Sequence, residues 1–313
     1  MTEAPDRAGL VKLLRKRLRR FLALLSEVLA GESPEAVHDL RVWSRRLQQT
    51  LIALHPESHS RKLRSLRRTL RRARRTLGGW RNCDVVLQRL ARKERQARRP
   101  DKRRAWTLVI DFVRKTRERE LRRVRKRLLK LDLFSLAKEM EALLEAPGSN
   151  SQVVSASLPE VVSTASSQWQ AALSRALEDR RVENIHDFRI QTKRLRYRME
   201  LLRDIGALDT SAAVEWLKSL QDGLGTWHDR RELGRAIAET LAKPEALQDE
   251  PRTAIMLLKE LEKEHALAAA ELEELMREAS DSPHRARFDA RMAAWCHAPR
   301  QQTDDPSGSQ IAS

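Results

Sequence analysis

Apolar residues recur along this chain at spacings of three and four. Leu10, Leu14, Phe21, Leu25 and Val28 make one stripe, and Val37, Leu40, Leu47, Leu51 and Leu54 make the next, with Ser44 in its gap. That is the period of helices that bury one face. It predicts helices over 7–30, 36–54, 60–77, from Trp80 up to Pro100, 101–130 and 133–145. Further along it predicts 159–180, 184–204, 210–223, 229–242 and 251–279. Gly31 ends the first helix, and Ser33 with Pro34 reads as the cap and first residue of the second. Gly78 and Gly79 read as a stop after the third, and the Leu-Gly pairs at 77–78 and 224–225 as helix C-caps. Residues 147–157 carry no charge and read as a linker, and the chain reads as a disordered tail from about 298.

The pattern repeats on a larger scale. Residues 36–54, AVHDLRVWSRRLQQTLIAL, return as NIHDFRIQTKRLRYRMELL at 184–202. His38 falls on His186, Asp39 on Asp187, Arg41 on Arg189, Arg45 on Lys193, Arg46 on Arg194 and Leu47 on Leu195. The seam returns as Ile185, Phe188, Leu195, Met199 and Leu202. Farther on, Arg71 falls on Lys218, Leu77 on Leu224, Gly78 on Gly225 and Trp80 on Trp227. A shared order at a fixed offset points to an internal duplication. The expected division is a first half over 1–146, the linker at 147–157, a second half over 158–280 and an extension over 281–313.

Composition narrows the class. Ten Gly, eleven Pro, five Phe and one Tyr argue against an all-β protein and for an all-α one. No run approaches about 18 apolar residues, so no transmembrane helix is predicted. Charges interrupt the first residues, no export signal is read there, and a cytoplasmic location is expected. Cys83 and Cys296 have no metal-binding spacing and read as reduced thiols.

Charge changes the picture most. The net charge is +18. Residues 1–150 hold 40 of the 62 Lys and Arg and 17 of the 44 Asp and Glu, a net of +23 against −5 for the remainder. Such a balance calls for a polyanionic partner: nucleic acid, an anionic membrane or a phosphate polymer. Beside each repeated seam runs a polar row: His38, Arg41 and Arg45, then His186, Arg189, Lys193 and Arg196. Positions i, i+3 and i+7 project one way, so each row spans roughly 10 Å at about 1.5 Å per residue. A solvated face is the ordinary meaning of a charge run. Its recurrence in order beside a seam argues for a site, where an anion would relieve the repulsion.

The motif H-D-x-R-x-x-x-[RK]-R-L at 38–47 and 186–195, the K-R-L-R-Y run at 193–197 and the L-G-x-x-[RH]-[ND] stretches at 77–82 and 224–229 resemble the CHAD family, the conserved histidine α-helical domain. The likeness covers roughly residues 7–280. It implies two four-helix bundles related by a pseudo-twofold axis, with long helices extending from them and a basic groove or pore between the halves. It implies binding of inorganic polyphosphate and association with polyphosphate granules. It also implies a stand-alone member, because no β-rich triphosphate-tunnel (CYTH) segment fits these residues. Carried over position by position, the polyphosphate-binding set is His38, Arg41, Arg45, Arg46, Arg71, His186, Arg189, Lys193, Arg194, Arg196 and Lys218. Two positions depart. Gln48 stands opposite Arg196, which puts one phosphate contact in doubt, and Asn82 stands where the stretch usually carries Asp, which touches turn geometry.

The chemistry of these residues agrees with an anion. Arg presents a planar fork of donors to phosphate and Lys a point charge. His38 and His186 sit in opening turns, where the helix dipole disfavours imidazolium and favours an anion, so a neutral ring donating one N–H fits both. Asp39 and Asp187 read as orienters of a neighbouring Arg or as dipole partners. No P-loop, GxSxG or HExxH is present, and His38 and His186 lack further metal ligands, so neither an enzyme, a metal site nor a cofactor is expected. Two alternatives remain. The Arg-rich stretches 61–75 and 114–127 suit a nucleic-acid backbone, and the 7–30 helix suits an anionic membrane surface.

Overall fold

The computed structural model describes residues 7–31, 33–55, 61–130, 133–145, 151–243 and 251–297. The expected tail from 298 lies outside them. Eleven helices and no strand occur among the described residues. They are α1 (Arg7–Ala30), α2 (Pro34–Leu54), α3 (Arg61–Thr76), α4 (Gly78–Gln96), α5 (Pro100–Leu128), α6 (Leu133–Glu145), α7 (Ser151–Glu178), α8 (Val182–Asp204), α9 (Ser211–Leu241), α10 (Pro251–Asp281) and α11 (Pro283–His297). The all-α reading is correct. Ser33 caps α2 as the sequence predicts, accepting from the Ala36 N–H at 3.1 Å, with Pro34 at the first turn.

Two breaks fall elsewhere than expected. Residues 210–223 and 229–242 are one helix, α9, which runs straight through Gly225. Gly78 and Gly79 open α4 after the single residue Leu77 and do not cap α3. Among the described residues the one glycine at positive φ is Gly206, so none of the Leu-Gly pairs is a C-cap. What Gly79 provides is room: a Cβ there would stand 2.4 Å from Glu120 Oε2 on α5. The linker is also shorter than expected, since α7 begins at Ser151 and 146–150 lie outside the described residues.

Helices pair as hairpins: α1 with α2, α4 with α5, α7 with α8 and α9 with α10. A hairpin buries one stripe of each helix and leaves other apolar surface bare. Here that surface is covered across the halves, α2 against α7 and α8, and α4 and α5 against α9 and α10. The cores follow this exchange. One gathers Leu14, Phe21, Leu40 and Leu47 with Trp169, Phe188, Leu195 and Met199. The other gathers Val86, Leu90, Trp106 and Val109 with Leu233, Ile237 and Leu257. Each core therefore draws on both halves of the sequence.

Candidate anion-binding site

Packing fixes the two signature helices, and their polar rows follow from it. Val37, Leu40 and Leu47 of α2 and Ile185, Phe188 and Leu195 of α8 are fully buried. That holds Arg41, Arg45, Arg189 and Lys193 half-buried at the edge of the seam, with His38 and His186 exposed at the helix openings. α3 and α4 add Arg74 and Arg81, both half-buried. Each cation feels the others. Arg41 is pushed down to about 9, first by burial and then by the charges of Arg45, Arg74, Arg81 and Arg189. Arg74 is pushed down to about 10 by burial, Arg45 and Arg71. Burial, followed by Arg189, Arg45 and Arg41, holds Lys193 well below the ordinary lysine value. The guanidiniums stay charged at neutral pH, so these shifts express the cost of burial first and mutual repulsion second.

None of these six cations forms a close ion pair among the described residues; Asp229 and Glu232 offset Arg189 only in part and from a distance. Arg41 Nη1 donates to the Arg74 carbonyl at 2.7 Å, and Arg74 Nη1 to Gln48 Oε1 at 3.1 Å. Buried donors Nε of Arg189 and Nη1 of Arg81 have no hydrogen-bond partner among the described residues. Elsewhere several buried cations are paired with acids, although Arg198 on α8 is satisfied by Gln49 and the Val161 carbonyl instead. Arg17, 2% exposed, meets Asp204 at 2.6 Å, and Arg117 meets Asp84 at 2.6 Å. Arg230 meets Glu264 and Glu271, each at 2.6 Å. Burying an unpaired charge is costly, so the unpaired cluster is what needs explaining.

The cluster has a distinct rim on α9. His228 lies 6.2 Å from His186 between ring centroids and is held down at about 4, chiefly by burial and then by Arg189. Asp229 is half-buried near Arg89, Arg189, Arg81 and Lys193, and burial holds its carboxyl above the usual range. Glu232 accepts from Asn82 Nδ2 at 3.2 Å and meets Arg235 at 2.7 Å. Asn82 therefore shapes no turn; it bridges α4 to α9.

The predicted residues divide. His38, Arg41, Arg45, His186, Arg189 and Lys193 come together. Arg71, exposed, stands beside Arg74 and Arg67, and Arg194, also exposed, beside Arg74 and Arg198. Three are employed otherwise. Arg196, 7% exposed, is paired with Glu200, donates to Gln221 Oε1 at 2.9 Å and lies over the Tyr197 ring. Arg46 meets the same Glu200 at 3.4 Å and stacks on Trp43. Lys218 is exposed and faces Asp222 at 3.7 Å. Asp39 and Asp187 do face arginines, on the preceding helices: Arg20 at 3.7 Å and Arg175 at 2.8 Å.

Arg74 is the main residue that pattern reading missed, and a signal for it existed. In register, Gln48 matches Arg196 and Arg74 matches Gln221. Both pairs are bonded, Arg74 to Gln48 and Arg196 to Gln221, so arginine and glutamine have changed helices between the halves. The guanidinium that α2 lacks at Gln48 comes from α3. Arg81 and His228 also match, within stretches read as turns.

A cavity of about 910 Å³ opens between α9 and α10, away from this cluster. Its lining includes Glu271, Glu274, Glu278 and Asp281, the wrong sign for an anion.

The fold has known counterparts. PptA from Streptomyces chartreusis superposes with a TM-score of 0.67 at 20% identity, covering 87% of this chain and 99% of that one. The CHAD domain from the plant Ricinus communis superposes with a TM-score of 0.58 at 19% identity, covering 96% and 95%. Among curated proteins none matches. The sequence profile of the CHAD domain matches residues 12–238, from α1 to near the end of α9, and with well over half its length matched the chain belongs to the CHAD family.

Proposed function

We propose that the chain binds inorganic polyphosphate at the cluster formed by Arg41, Arg45, Arg74, Arg81, Arg189 and Lys193. The observation that carries this is the contrast in pairing: these six cations are partly buried together with no close ion pair among the described residues, whereas Arg17, Arg117 and Arg230 are each held by an acid at 2.6 Å. A polyanion would supply the missing charge, and the unpartnered donors of Arg189 and Arg81 would find acceptors. Binding would release counterions and take up protons as Lys193 and the nearby imidazoles recover their ordinary affinity for them. The role is binding rather than catalysis, with no cofactor, in a cytoplasmic protein associated with polyphosphate granules. His38 and His186 act as neutral donors at the rim.

Nucleic acid is the second reading, favoured by α3, which carries nine cations and no acid. Competition between long-chain polyphosphate and duplex DNA at one fixed salt decides. Polyphosphate should displace DNA at equal phosphate content, because a duplex cannot reach donors held at the seam between helices, whereas a single chain can. Equal or better retention of DNA would overturn the proposal.

A further inference from the structure

The cluster does not end at the seam. On α3, Arg67, Arg71 and Arg74 lie at i, i+4 and i+7, one flank of a helix. This flank faces the site: Arg74 feels Arg45 and Arg194, and Arg67 acts on Arg198 of α8. Arg64, Arg68, Arg71 and Arg75 form a second row, at spacings of four, three and four, and all four are exposed. The rows share Arg71. The crest of α3 is therefore continuous in charge with the buried cluster, over about 16 Å from Arg64 to Arg75.

Two further observations give this surface a direction. None of the nine α3 cations forms an ion pair among the described residues, although like charges three and four apart weaken a helix. At the opposite rim stand Asp229 and Glu232 on α9, and the stretch of α9 in register with α3 holds Glu215, Lys218 and Asp222. An anion in the cluster is repelled toward one end and attracted toward the other.

We propose that the crest of α3 is an exit track: a polyphosphate chain seated in the cluster leaves past Arg74 and Arg71 and continues over Arg64, Arg68 and Arg75. This rests on the polyphosphate reading of the cluster and adds a polarity to it. The consequence is selection by length. A short anion fills the cluster and gains nothing from the crest, whereas a long chain engages both.

The test compares tripolyphosphate with long-chain polyphosphate on the full chain and on a triple variant, Arg64→Gln, Arg68→Gln and Arg75→Gln. The substitutions remove like charges from an exposed helix face, so the unliganded variant should melt no lower than the parent. Its affinity for tripolyphosphate should be unchanged. Its affinity for the long chain should fall by about tenfold or more, and the salt dependence should become shallower by about 2, as expected from three fewer neutralised phosphates on a single strand. Equal losses for both lengths, or no loss for either, would overturn the track while leaving the cluster intact. Loss of duplex DNA binding with long-chain polyphosphate retained would also overturn it, making the crest a nucleic-acid surface. If the parent binds neither phosphate species, the proposed function itself fails.

Discussion

α3 and the first half of α9 hold the same register and differ in most of what faces solvent, the exposed pair Arg71 and Lys218 being an exception. Their buried positions correspond: Leu70 with Leu217 and Ala73 with Leu220 are in the core, as are Leu77 with Leu224 and Trp80 with Trp227 just past the end of α3. Yet α3 carries nine cations without an acid, while 211–226 carries one cation and two acids. Burial constrains the apolar stripe of both, because a lost core contact costs several kcal/mol. Surface charge is free to diverge, and it has done so in one direction. Repulsion is retained on the side where an anion can offset it.

The same comparison holds for the exchanged Arg/Gln pairs. Arg74 answers to no carboxylate and stands with the cluster. Arg196, in the matching arrangement, is tied to Glu200 in the core. One guanidinium is available to a ligand, and the other holds two helices together.

The strongest test of the comparison is to remove the cluster. Arg45→Ala with Lys193→Ala should weaken polyphosphate binding by at least about tenfold at roughly 0.15 M salt, since contacts to ionised groups contribute about 1.5–3 kcal/mol each. Helical content by circular dichroism should not change. Equal loss from an outer-surface pair would mean diffuse electrostatics.

The exchanged pairs give a sharper contrast. Arg74→Gln should lower polyphosphate affinity about tenfold with little change in unfolding free energy. Arg196→Gln should do the reverse, lowering stability by about 1–3 kcal/mol in urea titration because Glu200 loses a buried partner. If both variants lose affinity and keep stability, the two arginines are equivalent and the division proposed for them is wrong.

Acid separates the free and bound protein. His228 is held at about 4 against an ordinary value of 6.5, by burial first and then by Arg189. Between these values the unfolded chain binds a proton that the folded one refuses, so stability falls as pH drops from about 6.5 towards about 4. His38 and His186 shift the same way. Thermal melts across this range should show the decline in the free protein and a smaller one with polyphosphate bound. A flat profile without ligand would remove His228 from the account.

The smallest effect belongs to the far end of α5. Arg122→Ala with Arg125→Ala should change affinity for short polyphosphate by less than about threefold, fading as salt rises, because exposed ion pairs contribute about 0–1 kcal/mol and are screened. Titration at two salt concentrations suffices to check it.

The sequence alone determined a good deal. Periodicity gave the all-α class and placed most helices, because a helix that buries one face must repeat its apolar residues. The duplicated motif located six residues of the cluster, His38, Arg41, Arg45, His186, Arg189 and Lys193, because a charge row beside a seam inherits its position from the seam. Tertiary structure decided what local pattern does not encode. Gly78, Gly79 and Gly225 looked like caps because glycine ends helices, and only the approach of α5 gives Gly79 its reason. Arg46, Arg196 and Lys218 belong to the carried-over set, yet Arg46 and Arg196 share Glu200 and Lys218 faces Asp222. Arg74 fits no motif on α2 or α8, yet it reaches the cluster from α3. Whether a cation is free for a ligand depends on which carboxylate lies within a few ångströms, and that is a property of helices packed from distant parts of the chain.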